Sequence, residues 1–205
     1  LLALAIIFPV HAQQTIKPLP NPPLREACGL DVMLVLDESG SIRDADAIGH
    51  VTDATLGFLE ALANTGSQVG VVEFNSTARH VINSTAVTSG AGSTLETVFQ
   101  PYLTSEFDPP QSPQWYTNWN DAMKQVSIAN DVSQNGHKAD LVVFITDGDP
   151  TAFNNDHPGT SEPTQIENVT YNTISSGHAL TQTIHFANVV KNQGSRVMAC
   201  LLYTS

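Results

Sequence analysis

Residues 31–41 read Asp31-Val32-Met33-Leu34-Val35-Leu36-Asp37-Glu38-Ser39-Gly40-Ser41. The apolar run shows no alternation, which marks a strand covered on both faces, and such strands belong to parallel sheets packed between helices. It ends in a carboxylate, and two hydroxyls follow at alternate positions. A strand delivering Asp37, Ser39 and Ser41 into one tight loop gathers hard oxygen donors suited to a Mg²⁺-sized cation. Serine is neutral, so it coordinates without cancelling the metal's charge and leaves it electrophilic towards an acidic group.

The same pattern returns at residues 139–145, where Leu141-Val142-Val143-Phe144-Ile145 is followed by Asp147. Between and around these two runs, strand and helix signals alternate. Ile48, Val51, Phe58, Leu59 and Leu62 recur at helical spacing, and Asp44 or Asp46 would open that helix. Residues 68–74 read as a second strand. Residues 78–82 read as a third, and the short Asn75-Ser76-Thr77 link makes the pair antiparallel. Helices are expected over 95–103, 118–130 and 179–191, and a last strand over 196–202. The order predicts an α/β, doubly wound, mostly parallel sheet with helices on both faces and one antiparallel edge strand. Ligands of such sheets bind beyond the carboxyl ends of the strands, where the winding reverses. Asp37 and Asp147 project to that edge.

The resemblance to a known family rests on three ordered motifs. Asp37-Glu38-Ser39-Gly40-Ser41 resembles the DxSxS loop of von Willebrand factor type A domains. Thr117-Asn118-Trp119-Asn120-Asp121 is similar to their second metal loop, although Tyr116 stands where the family usually has Gly. Ile145-Thr146-Asp147-Gly148 is similar to their third loop. The resemblance spans residues 30–202 and implies a Rossmann-like fold with a metal-ion-dependent adhesion site. Ser39, Ser41 and Thr117 would be neutral ligands, with Asp37 and Asp147 coordinating directly or through water. It implies Mg²⁺, with Mn²⁺ or Ca²⁺ as substitutes, and a coordination position open to a partner's carboxylate. The family would continue past residue 205 with another strand and helix, so the C-terminal strand and helix are expected to be missing. A plainer reading makes Ser39 and Ser41 a cap and a turn, and makes Thr117 the N-cap of its helix.

The flanks point outside the cell. Residues 1–12 are apolar and end in Val10-His11-Ala12, as in a secretory signal remnant. Residues 13–29 hold Pro18, Pro20, Pro22 and Pro23 and read as a linker, leaving residues 30–205 for the domain. Asn75, Asn83 and Asn168 head N-x-S/T sequons. A secreted chain permits a disulfide between Cys28 and Cys200, although strand positions seldom meet the geometry. Asp and Glu outnumber Lys and Arg by 20 to 8, a net charge of −12 without basic clusters, which excludes nucleic acid as a partner. Membrane contact would need an anchor outside this chain.

The expected function is a secreted or cell-surface module that binds a protein or glycoprotein through a Mg²⁺-bridged carboxylate, without catalysis. Residues 104–116 and 148–177 would flank the metal and set partner choice. Two alternatives stand beside it. A Mg²⁺-dependent phosphohydrolase would also place Asp37 after its first strand, with Glu38, Asp149 or His157 as base, but it wants a second carboxylate where Ser39 stands. An extracellular-matrix module would leave the metal site unused.

Overall fold

The computed structural model describes residues 16–26, 28–44, 47–101, 116–131, 138–153 and 173–202. The signal remnant, most of residues 104–116 and 148–177, and His157 lie outside them.

Five strands form one sheet in the order β3-β2-β1-β4-β5. They are β1 (Asp31–Asp37), β2 (Gln68–Phe74), β3 (Ala78–Ala86), β4 (Leu141–Thr146) and β5 (Arg196–Leu201). β1 lies at the centre, parallel to both β2 and β4, and β5 is parallel to β4. β3 runs antiparallel to β2 along one edge, as the sequence predicts. Alternate side chains of the central strands face opposite ways. Val32, Leu34, Leu36, Val71 and Val143 pack with Val51 and Leu59 of helix α2 (Ile48–Leu62). Met33, Val35, Val72, Phe74 and Phe144 pack with Met123 and Val126 of α3 (Trp119–Ala129) and with Val190 of α4 (Thr173–Asn192). Both faces are therefore covered, and that is why these strands read as unbroken apolar runs.

β1 leads through α2 to β2 on one side, and β4 leads through α4 to β5 on the other. The winding reverses between β1 and β4, so the carboxyl ends of those two strands flank a crevice.

Several local expectations are corrected. Asp44 does not open α2, and Asp46 lies outside the described residues. A short helix, α1 (Gly40–Asp44), comes first, and the buried Ala47 starts α2 with no side-chain cap. The Ala47 N–H donates to the Ile42 carbonyl (2.8 Å), which closes the turn between α1 and α2. Residues 95–99 form a π-helical segment, Leu95–Phe99, in which the Gln100 N–H donates to the Leu95 carbonyl five residues back. β3 continues past residue 82 to Ala86, with irregular pairing between Val69 and Val72. The polar Asn83-Ser84-Thr85 stretch persists as strand because it lies on the sheet's margin.

Cys28 and Cys200 are both free and exposed. Cys28 precedes β1, whereas Cys200 is in register with Ile145, which is in register with Leu36. Five strand residues, about 17 Å, separate the two levels, too far for a disulfide.

The Pro-rich segment, over residues 16–26, lies along α4 and β5. Leu19 N–H donates to Asn188 Oδ1 (2.7 Å), Asn188 Nδ2 to the Lys17 carbonyl (2.8 Å) and Lys191 Nζ to the Leu19 carbonyl (2.8 Å). The Asn21 side chain exchanges two bonds with the backbone of Val197 (2.9 and 3.0 Å), as a neighbouring strand would. Arg25 Nε donates to Asp140 Oδ2 (2.6 Å).

Candidate metal centre

Asp37 ends β1 and is fully buried. Its Oδ1 accepts from the Ser39 N–H (2.8 Å), a bond that folds the chain sharply after the strand, and its Oδ2 accepts from Thr146 Oγ1 (2.6 Å) at the end of β4. The turn carries Ser39 and Ser41 into the crevice, where their hydroxyl oxygens lie 3.0 Å apart. Ser41 Oγ donates to Asp147 Oδ1 (2.8 Å). Asp37, Ser39, Ser41 and Asp147 are thus joined in one chain of hydrogen bonds at the reversal point, through the Ser39 N–H and the two serine hydroxyls.

The donor set fits a hard divalent cation. Six oxygens at about 2.1 Å around Mg²⁺ place neighbouring ligands about 3.0 Å apart, as along an octahedron's edge. The two serine oxygens have that spacing. Burial pushes the Asp37 carboxyl up to about 6 from its ordinary 3.8, against hydrogen bonds from Ser39 and Thr146 that pull it down, and the nearby Asp147 charge adds to the rise. A buried carboxylate with a second acid beside it has a charge that a cation would neutralise. Among the described residues no three His, Cys, Asp or Glu side chains cluster as a metal cage. This site has two carboxylates, and its other donors are hydroxyls.

Thr117 is buried beside the crevice but shares no hydrogen bond with those four residues among the bonds resolved. Its position is fixed through the backbone. Its N–H donates to Thr151 Oγ1 (2.9 Å), and its carbonyl accepts from the Thr151 N–H (2.9 Å) and the Ala152 N–H (3.2 Å), just beyond Asp147. On the other side the Asn118 N–H donates to the Asn75 carbonyl (2.9 Å) and Asn118 Nδ2 to the Ser76 carbonyl (2.9 Å). Asn118 Oδ1 also accepts from the Asp121 N–H (3.0 Å), so Asn118 and not Thr117 caps α3. The Thr117 hydroxyl is left for another role.

Replacing Asn118 with Ala removes the cap and strands the buried Ser76 carbonyl. Together these losses are expected to lower stability by about 2 kcal/mol, read by urea unfolding.

Some participants carry no signal in the sequence. Thr151 binds Thr117 from a stretch with no motif. Thr146 sits inside the quoted Ile145-Thr146-Asp147-Gly148 run, yet its contact with Asp37 depends on β1 and β4 being neighbours. Glu38 points away from the metal crevice's oxygen chain into a buried cluster with Glu73, and Arg79 Nη2 contacts both glutamates, Glu38 at 3.7 Å. Burial and the adjacent Glu73 carboxyl raise Glu38 well above the usual carboxylate range. Trp119 stands edge-on to Phe144 with centroids 5.6 Å apart, and its Nε1 donates to Thr146 Oγ1 (3.4 Å).

A family model described as the von Willebrand factor type A domain matches residues 31–200. No curated protein matches the chain. Among solved structures, the pilus adhesin SpaC of Lactobacillus rhamnosus GG superposes with a TM-score of 0.58 at 19% identity, over 87% of this chain and 25% of that one. The PilB minor pilin of Streptococcus sanguinis gives 0.61 at 14%, over 88% and 58%. Proximal thread matrix protein 1 of the mussel byssus gives 0.50 at 16%, over 83% and 37%. At these identities the likeness is one of fold, and this chain spans less than two thirds of each of those proteins.

Proposed function

Since the chain belongs to the von Willebrand factor type A domain family, we propose that it is an adhesion or ligand-binding module of the cell exterior that captures a protein partner through a divalent cation. The observation that carries this reading is the run of oxygens from Asp37 through Ser39 and Ser41 to Asp147 at the sheet's reversal point. Mg²⁺, or Mn²⁺ or Ca²⁺ in its place, would be held by Ser39, Ser41 and Thr117, with Asp37 and Asp147 coordinating or orienting water. The cation supplies an electrophilic centre that accepts an oxygen from an acidic side chain of the partner. The chain's own residues do the rest. The hydroxyl ligands keep the ion's charge from being cancelled, and the backbone bonds around Thr117 hold the second loop against the third. The module binds and does not turn its partner over.

The setting is consistent with work outside the cell. Structural neighbours bear the names pilus adhesin, minor pilin and thread matrix protein. No described helix is long and apolar enough to cross a membrane.

Calorimetric titration with Mg²⁺ and Mn²⁺ tests the reading. The wild-type chain is expected to show saturable binding, and Ser39→Ala/Ser41→Ala to lose it while keeping the wild-type circular dichroism spectrum. A folded wild type that takes up neither ion would remove the metal-bridge mechanism and favour a matrix module with an unused site.

A further inference from the structure

Of the three sequons, Asn168 lies outside the described residues, and the other two are presented in opposite ways. Asn75 is 2% exposed. Its N–H donates to the Thr77 carbonyl (2.9 Å), its carbonyl accepts from the Asn118 N–H (2.9 Å) and its Oδ1 accepts from the Thr77 N–H (3.2 Å). Ser76 in the same sequon is bound through its carbonyl to Asn118 Nδ2 (2.9 Å) and through its Oγ to the Tyr116 N–H (3.2 Å). This tripeptide is a tight turn clamped beneath α3.

Asn83 is exposed on β3, the marginal strand of the sheet. The pairing with β2 is irregular here, with Ile82 opposite Val71 and Thr85 opposite Val69, and Thr85 Oγ1 donates to the Asn83 carbonyl (2.8 Å) across that irregularity. Open space adjoins Asn83: it and Ser84 border a cavity of about 370 Å³ that His80, Asn130 and Lys138 also line.

We propose that Asn83 is an N-glycan acceptor of the secreted chain and that Asn75 is not. The inference rests on the secreted reading above. The donor would be a lipid-diphosphate-linked oligosaccharide. Asn83 Nδ2 attacks C1 of the first sugar and loses one proton. The Nδ2–C1 bond forms, the C1–O bond to the diphosphate breaks, and its electron pair leaves with the lipid diphosphate. No oxidant or reductant takes part.

Placement gives the glycan a purpose. Ala78 is level with Phe74 and Asp37 at the metal end, whereas Asn83 lies between residues paired with Val71 and Val69, about four β2 residues from Phe74 or roughly 13 Å away. A glycan there leaves the metal crevice open. It covers instead the outer margin of β3, which pairs with no other strand among the described residues and where a foreign strand would otherwise add.

The test is secretion of the whole chain from a eukaryotic host behind that host's leader, which makes it independent of how the native chain travels. Glycans are released enzymatically in heavy-oxygen water, which tags each former glycan site, and peptides are mapped. Asn83 is expected to carry the tag and Asn75 to lack it. Asn83→Gln and Thr85→Ala should each remove one glycan's mass and leave Mg²⁺ affinity unchanged. An untagged Asn83, or a tagged Asn75, in the folded chain overturns the proposal. If a variant is retained in the cell, mapping of the retained wild-type and variant pools decides in the same way. Failure of metal binding in the wild type, with Asn83 tagged, would count against the adhesion reading alone.

Discussion

Asp37→Asn is expected to abolish Mg²⁺ binding while making the metal-free domain more stable. Loss of the buried carboxylate removes the anionic anchor of the oxygen cluster, and a drop in affinity of about 10–100-fold or more follows from what even outer metal-site partners contribute. The gain in the metal-free state comes from the same charge. Asp37 titrates at about 6 in the folded chain against 3.8 when unfolded. The folded state therefore holds this proton more tightly. The associated stability is full below pH 3.8, declines as pH rises, and is gone above about 6. At about 1.4 kcal/mol per pH unit the decline amounts to about 3 kcal/mol. Asn carries no such penalty. Its Oδ1 still accepts from the Ser39 N–H, and its amide nitrogen faces Thr146 Oγ1, which turns to accept. Urea unfolding without metal at pH 5 and pH 7.5 reads the result. The variant should exceed wild type by up to about 3 kcal/mol at the higher pH, and the gap should narrow at the lower. A variant less stable than wild type at pH 7.5 would mean that the Asp37 charge is already compensated in the folded chain.

Gly29→Ala is expected to cost roughly 3–5 kcal/mol, the largest loss from a single methyl group in this fold. Gly29 has φ +81°, and a Cβ there would lie 2.5 Å from both the carbonyl carbon and the oxygen of Gly66. Neither neighbour is a movable side chain. The next bonds along the chain, Leu30 N–H to Ser67 Oγ (3.0 Å) and Gln68 N–H to the Leu30 carbonyl (2.9 Å), start the pairing of β1 with β2. A displaced Gly29 would shift the register that brings Asp37 level with Phe74. Gly57→Ala is the comparison. It is exposed within α2 with nothing within 4 Å of its added methyl, and it should gain up to about 1 kcal/mol from helix propensity. Urea unfolding of the two variants should give shifts of opposite sign.

What the sequence disclosed follows from how locally each feature is encoded. Leu34–Leu36 and Leu141–Ile145 announce buried strands because burial on both faces demands unbroken apolar runs. The reversal point then brings Asp37, Ser39, Ser41 and Asp147 together, since all four follow strand ends on the same edge. Asn118 at the start of α3 was legible as a helix boundary, as its cap is a matter of nearest neighbours. The start of α2 was not, because Ala47 offers no capping side chain and so leaves no mark in the sequence. The length of β3 was hidden for a related reason: a marginal strand tolerates Asn83-Ser84-Thr85, so its composition resembles a loop. Thr151 and the Glu38–Glu73–Arg79 cluster depend on segments far apart in sequence, and no spacing rule exposes them.

The docking of residues 16–26 gives the domain a mechanical character. Tension entering through residue 16 would meet the bonds at Lys17, Leu19, Asn21 and Arg25 one after another, because each must yield before the next is loaded. Such a seam peels at low force. Parallel strands pulled along their axes resist differently, with many bonds sheared at once. Eleven residues freed from α4 and β5 would lengthen the tether by up to about 37 Å at full extension. The sheet and the oxygen cluster of its crevice would remain intact meanwhile. Slack of this kind would be drawn out before the sheet, or the crevice at its other end, carries any load.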